Sequence, residues 1–265
     1  MESTLSLKKA DFEAKVGVFL GYGRGANFGD SAWTARQEAV ISDCVESGLR
    51  QFYFPPPIEG ANSFDWSFLK PYAFLTLPSG EFEVPLHDDF GGPEGQLTID
   101  SGTGSNPYKI PFQHEAKVKE AQAGSPNQTG RPLIVAVAPI KGTTARASQR
   151  FKLAVFPTAD VTYSLAFAYY LVPDALTGVR PYCYGGAAHT ETILESCLAI
   201  AEQRLDDAVS VHTMKFKERL AASIAFDRRL KPQRLGYNRD GSDGLDVRGR
   251  IHGRGTTFTL NGVPL

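Results

Sequence analysis

At 265 residues, with 42% hydrophobic and 22% charged side chains, the chain has ordinary values for a soluble globular protein of one or two domains. A formal net charge of -1 argues against a general nucleic-acid binder, which needs a basic surface to release phosphate counterions. No apolar run reaches the roughly 18–20 residues that span a bilayer.

The opening segment, MESTLSLKKADFEAK, lacks the continuous apolar core of a signal peptide, so the expectation is a protein made in the cytosol. Residues 4–20 begin with a Thr or Ser cap and set Leu5, Phe12, Val16, Phe19 and Leu20 near helical spacing. The glycine-rich GYGRGANFGD breaks that pattern. A second helix follows, with Ser31 as its expected cap and Val40, Ile41, Cys44, Val45 and Leu49 on one buried face. It ends at QFYFPPP, because Pro55, Pro56 and Pro57 cannot continue a helix.

Between about residues 64 and 182 the character changes. Short runs rich in β-branched and aromatic residues are separated by Gly, Pro, Asn and Asp, which predicts an antiparallel sandwich or barrel of about six to eight strands. KLAVFP and YSLAFAYY alternate cleanly, one face apolar and the other carrying Lys, Ser or Ala. Helical pattern returns at 188–230. Ile193, Leu194, Cys197, Leu198, Ala201 and Leu205 form one stripe, a break is expected near Val209–His212, and Met214, Leu220, Ile224 and Leu230 continue the face. Pro232 and Gly236 stop it. Neither terminal pair of helices can bury its stripe alone. The expected fold is therefore α+β: a helical bundle from residues 1–58 and 187–236, an inserted β domain over 59–186, and an extended C-terminal arm over 237–265. From Ala225 to Leu265 there are eight Lys or Arg and four Asp or Glu, a charge of +4 against -5 for the rest. The arm is glycine-rich but ends in the β-prone TTFTLNGVPL, which suits pairing with a partner's sheet edge.

Signals for catalysis are weak. GYGRG (21–25) and GTGSNP (102–107) match neither phosphate-binding pattern and read as a helix C-cap and a hairpin loop. The five histidines, His87, His114, His189, His212 and His252, form no zinc spacing; His189 with Glu191 and Cys183 is the nearest to a cluster, and His189 is expected at a helix N-terminus, packing on the β domain. Asp88 and Asp89 read as turn residues, with a carboxylate pair or metal site as the sharper alternative. No serine lies in GxSxG, and Cys44, Cys183 and Cys197 form no CxxC pair and are expected to be reduced. The expectation is no catalytic residue, no metal and no cofactor. Phe52, Tyr53, Phe54, Pro55, Pro56 and Pro57, with Phe64, Trp66 and Phe68 close behind, would weld the second helix to the first strand or contact a neighbouring subunit or tail protein.

Six segments carry a resemblance: GYGR (21–24), Trp33 through GLRQFYFPPP (48–57), WSFLKP (66–71), LHDDFGG (86–92), GGAAHTETILESCLAIAE (185–202) and RLAASIAFDRRLKPQRLGYN (219–238). In these the chain resembles the head–tail connector (portal adaptor or neck) proteins of tailed bacteriophages. The resemblance implies a non-enzymatic virion protein that forms a ring, commonly a dodecamer, beneath the portal protein. Its partners would be the portal, the next neck or tail protein and, transiently, the packaged DNA that passes through the ring, with no membrane contact. It implies a place at the neck of the virion, and in the host cytoplasm before assembly. The portal-docking arm would use Arg248, Arg250 and Arg254 for acidic groups or phosphates, and Thr256, Phe258 and Leu260 for strand pairing. The alternative within the same class is another neck or tail protein: a stopper, a tail terminator or a tail tubular component.

Overall fold

A computed structural model describes residues 3–22, 33–57, 63–100, 108–140, 149–206 and 211–230, with the backbone of 259–260 and 263–264. Helices come from both ends of the chain and strands from between them, a mixed α+β architecture with antiparallel sheets.

Helix α1 spans Lys9–Phe19 and turns Phe12 and Val16 inward. Leu5, expected on that stripe, lies in the turn ahead of the helix and is 79% exposed. The helix ends as GYGRG suggests. Gly21 takes φ +73, and the N–H of Tyr22 reaches back to the carbonyl of Gly17 at 2.9 Å, a left-handed glycine cap. Helix α2, Ala35–Tyr53, starts at Thr34 and Gln37. Their side chains bond each other's backbone N–H at 3.3 and 2.9 Å, the reciprocal pattern of a capping box. Ser31, the cap expected from sequence, lies outside the described residues. The buried face is Ile41, Cys44, Val45, Gly48, Leu49, Phe52 and Tyr53, with Val40 only partly covered.

The strands are β1 (Tyr72–Leu77), β2 (Glu83–Pro85), β3 (Phe90–Asp100), β4 (Tyr108–Ile110), β5 (Thr129–Gly130), β6 (Ile134–Ile140), β7 (Arg150–Phe156), β8 (Thr158–Ala159) and β9 (Tyr163–Leu171). One antiparallel sheet has the order β1-β9-β3-β4 and another the order β2-β7-β6; β5 and β8 make a short parallel pair. Among the described residues the sheets do not close into a barrel. Alternation works as expected in β9, where Leu165, Phe167, Tyr169 and Leu171 face the core and Ser164 faces out.

A helix absent from the sequence reading, α3 (Glu115–Gly124), sits within this β-rich stretch. Its N-cap is His114, whose Nδ1 accepts from the N–H of Ala116 at 3.2 Å. Val118 is the only buried residue of α3, so the helix had no apolar stripe to betray it. What it covers explains the alanines of β6 and β7. Ala136 and Ala154 stand opposite one another in the ladder and, together with Val118, form a small cluster away from the main core.

Helices α4 (Thr190–Asp206) and α5 (Val211–Leu230) close the layer. Ile193, Leu194, Cys197 and Ala201 are buried as expected; Leu205 is exposed. On α5 the inward residues are Thr213, Phe216, Leu220, Ser223, Ile224 and Asp227, while Met214, expected on that face, is 64% exposed. Leu220 and Ile224 are buried as expected, whereas the polar half of that face lay outside a hydrophobic count. The principal cluster runs without a break from α1, α2, α4 and α5 through Trp66 and Leu69 into both sheets. Residues 1–228 form one compact unit and 229–265 another; the described part of the second is Arg229 and Leu230, at the end of α5, and the antiparallel pair β10 (Thr259–Leu260) and β11 (Val263–Pro264).

Candidate functional site

Four distant segments meet at one buried node. Phe52 comes from the last turn of α2, and Trp66 and Phe68 from the 3-10 turn at Ser67–Leu69 and its entry. His189 comes from the short 3-10 turn before α4, and Phe226 with Asp227 from α5. The rings of Phe52 and Trp66 meet at a tilt, 4.7 Å between centroids, and the indole N–H of Trp66 donates to the carbonyl of Phe52 at 2.9 Å. A buried indole needs such a partner, so α2 is fixed to the strand entry by apolar area and one directed bond together.

His189 is 2% exposed and ringed by Trp66 and Phe68 at 5.2 Å, Phe226 at 5.7 Å and Phe52 at 5.9 Å. Gly185 and Gly186, at φ +94 and +65, make the turn that delivers it; a β-carbon on Gly185 would stand 3.0 Å from the imidazole. Among the described residues Nδ1 of His189 has no hydrogen-bond partner. Burial pushes its pKa below the usual histidine value, and the carboxylate of Asp227 offsets part of that. Asp227, fully buried, accepts from the N–H of Ser67 at 3.1 Å and from its hydroxyl.

The catalytic alternatives do not assemble. Asp88 pairs with Arg150 at 3.0 Å in an exposed turn. Asp89 accepts from the hydroxyl of Tyr169 at 3.0 Å, and its carbonyl accepts from the N–H of Val172. Among the described residues no contact joins either carboxylate to His189. Glu191 is exposed, and Cys183 lies against Tyr53, its thiol pushed up to about 12 by burial. No group of three His, Cys, Asp or Glu among the described residues could hold a metal ion. Ser67 bonds Asp227 directly rather than through an imidazole, which is a tether and not the relay a nucleophilic serine needs.

The other described histidines are equally committed. His87 stacks on Tyr169 at 5.8 Å, and His114 caps α3. His212 meets Glu195 at 2.7 Å and the edge of Phe19 at 5.0 Å. His252 lies outside the described residues.

The proline exit divides by burial. Phe52, Tyr53 and Pro55 are core side chains of this chain, so outward contacts fall to Phe54, Pro56 and Pro57, which are exposed. Of the arm, Arg248, Arg250, Arg254, Thr256 and Phe258 lie outside the described residues, and Leu260 is known only as backbone in β10. Sequence reasoning missed a second outward apolar feature. Tyr72 and Phe74 of β1 are 59% and 65% exposed and meet edge to face at 5.6 Å. The signal was present: YAFLTL alternates, but both of its faces are apolar, so the face left to solvent could be read as core.

No protein-family model matches the chain, and no curated protein matches it. No helix among the described residues is long and apolar enough to cross a membrane.

Proposed function

We propose that the chain is a structural subunit of a tailed-phage neck: the head-to-tail adaptor, which forms a ring beneath the portal and links it to the tail while DNA passes through. One observation carries the reading. The segments of the connector resemblance around GLRQFYFPPP, WSFLKP, GGAAHTETILESCLAIAE and RLAASIAFDRR supply Phe52, Trp66, His189 and Asp227, all to the same buried node. In this reading these segments contribute to a shared packing cluster, which suits a role in assembly.

Other features suit the role. In this reading the helices drawn from both chain ends pack beside those of neighbours, and a ring requires two different complementary surfaces on each copy. The chain continues past α5 into a segment with three arginines between 248 and 254 and a β-prone end. In this reading that arm docks the portal by strand pairing through Thr256, Phe258 and Leu260, and the arginines meet acidic groups or phosphates. A chain with a net charge of -1 lets DNA slide through rather than holding it.

The test is light scattering of the protein alone and with the portal from the same genome, followed by electron microscopy of the mixture. A ring capping the portal is expected. A protein that ignores the portal but forms rings or tubes alone would instead be a tail terminator or tubular component.

A further inference from the structure

Among the described residues β1 is the outer strand of its sheet, paired with β9 on one side only. The N–H of Tyr169 donates to the carbonyl of Pro71 at 3.2 Å, which fixes the phase of the ladder. In antiparallel pairing, bonded and non-bonded positions alternate. The N–H and C=O groups of Tyr72, Phe74 and Thr76 therefore point away from β9, toward the open edge. The same three residues turn their side chains to solvent. Edge strands in stable proteins are normally blunted by charge, proline, a bulge or a cover. β1 has none of these: YAFLTL is uncharged, regular in register over its whole length, and unpaired among the described residues. An edge of this kind is a template for another strand.

We propose that β1 receives the C-terminal strand Thr256–Leu260 of a second copy of this chain, antiparallel, with Phe258 opposite Phe74. Sequence and charge select this occupant. TTFTL is uncharged, like the edge it would join, and Thr259 and Leu260 are already extended in β10. The antiparallel register sets Leu260 beside Tyr72, Phe258 beside Phe74 and Thr256 beside Thr76, all on the exposed face. Aromatic, aliphatic–aromatic and Thr–Thr pairs of this kind are the favourable cross-strand pairs. Charge fixes the direction. Arg254 precedes the donor strand, and in the antiparallel sense it reaches the turn after β1, which carries the exposed acid Glu81 and touches the β8–β9 connection with its exposed Asp160. The hydroxyl of Ser79 on the carbonyl of Asp160, at 2.8 Å, holds that acid at the turn. A parallel strand would bring Arg254 to Lys70 instead.

The contact is head-to-tail: each copy offers one strand and receives another, a heterologous interface that can close into a ring. It does not depend on the adaptor reading. If that reading holds, one strand serves two acceptors, and the portal must displace β1 of the neighbour to engage the arm.

The experiment uses the full chain and two variants in sedimentation velocity. The first, Phe74→Lys, spoils the acceptor at an exposed position; the second ends at Arg254 and removes the donor. The full chain is expected to sediment above its 28.8 kDa monomer mass, and each variant alone as a monomer. Mixed, the two variants are expected to form a one-to-one heterodimer, because one retains the donor and the other the acceptor. A full chain that stays monomeric overturns the proposal. So does a truncated variant that still self-associates, which would make β1 of the second copy the occupant, or a mixture that fails to pair. Portal binding by the same samples reports separately on the adaptor role.

Discussion

A β-carbon built on Gly48 would stand 2.6 Å from Cα of Cys197, closer than real β-carbons approach anything. Helices α2 and α4 thus meet backbone to backbone, and the hydroxyl of Ser196 donates to the carbonyl of Gly48 at 2.8 Å across the same point. The Cys197 side chain fills the space a larger residue would overfill, its thiol held well above the usual range by complete burial. This crossing ties the N-terminal helices to the C-terminal ones.

Gly48→Ala tests that crossing. In an exposed helix the change would gain up to about 1 kcal/mol in propensity. Here the nearest neighbour is backbone that cannot rotate aside, so crowding wins and a net loss of about 1–3 kcal/mol is expected. Urea unfolding followed by far-ultraviolet circular dichroism measures it; a variant as stable as the parent would show that the helices separate freely.

Asp227 is expected to be among the costliest polar positions. Asp227→Ala strips the half-buried N–H and hydroxyl of Ser67 of their acceptor, at up to about 1–3 kcal/mol for each group left unsatisfied. Asp227→Asn keeps one carbonyl oxygen and should lose less. A double cycle with Ser67→Ala separates the bond from the burial: the two losses should fall short of additivity by at least about 0.5 kcal/mol. Additive losses would mean that the two residues act independently.

How far the sequence disclosed this structure follows from which forces leave a pattern in it. Ile41, Cys44, Val45 and Leu49 on α2 announced themselves by apolar spacing, and the strands of β7 and β9 by alternation. α3 did not, because burying Val118 alone leaves no period to detect. On α5 the sequence placed Leu220 and Ile224 on the inner face, but the polar half of that face escaped: Ser223 and Asp227 are held by side-chain hydrogen bonds and Thr213 by its backbone N–H, and none of these leaves an apolar period. His189 was placed correctly at a helix N-terminus, but its aromatic surroundings come from residues 52, 66, 68 and 226, a conjunction that only the fold creates. The division of FYFPPP into buried and outward residues was likewise a matter of tertiary packing.

Glu202 gives α5 its N-terminus from a different helix. One carboxylate oxygen accepts from the N–H groups of His212 and Thr213 at 3.1 and 3.3 Å, doing from α4 what a local cap does in other helices. Glu202→Ala should cost about 1–2 kcal/mol, and Glu202→Gln less, since an amide oxygen still accepts but lacks the charge that favours a helix N-terminus. Hydrogen exchange locates the effect: protection should fall first at the start of α5. A uniform decrease over the whole chain would instead mean that Glu202 supports the core as a unit.

His189 makes acid stability the most direct probe of the node. Phe52 from α2, Trp66 and Phe68 from the 3-10 turn, and Phe226 from α5 surround the ring, and Asp227 is the charged group that acts on it. Burial outweighs the pull of Asp227, so the folded-state pKa lies below the ordinary 6.5. As pH falls through the ordinary value, the unfolded chain takes up a proton that the folded chain refuses. Stability is then full above that value and declines below it, until the folded-state pKa is reached. One such proton contributes a slope of at most about 1.4 kcal/mol per pH unit. His189→Phe, or His189→Gln if the larger ring overpacks, should flatten that slope between about pH 6.5 and 5, leaving the other titrations unchanged. Urea midpoints across this range decide the matter: parallel curves for parent and variant would place the acid sensitivity elsewhere in the chain.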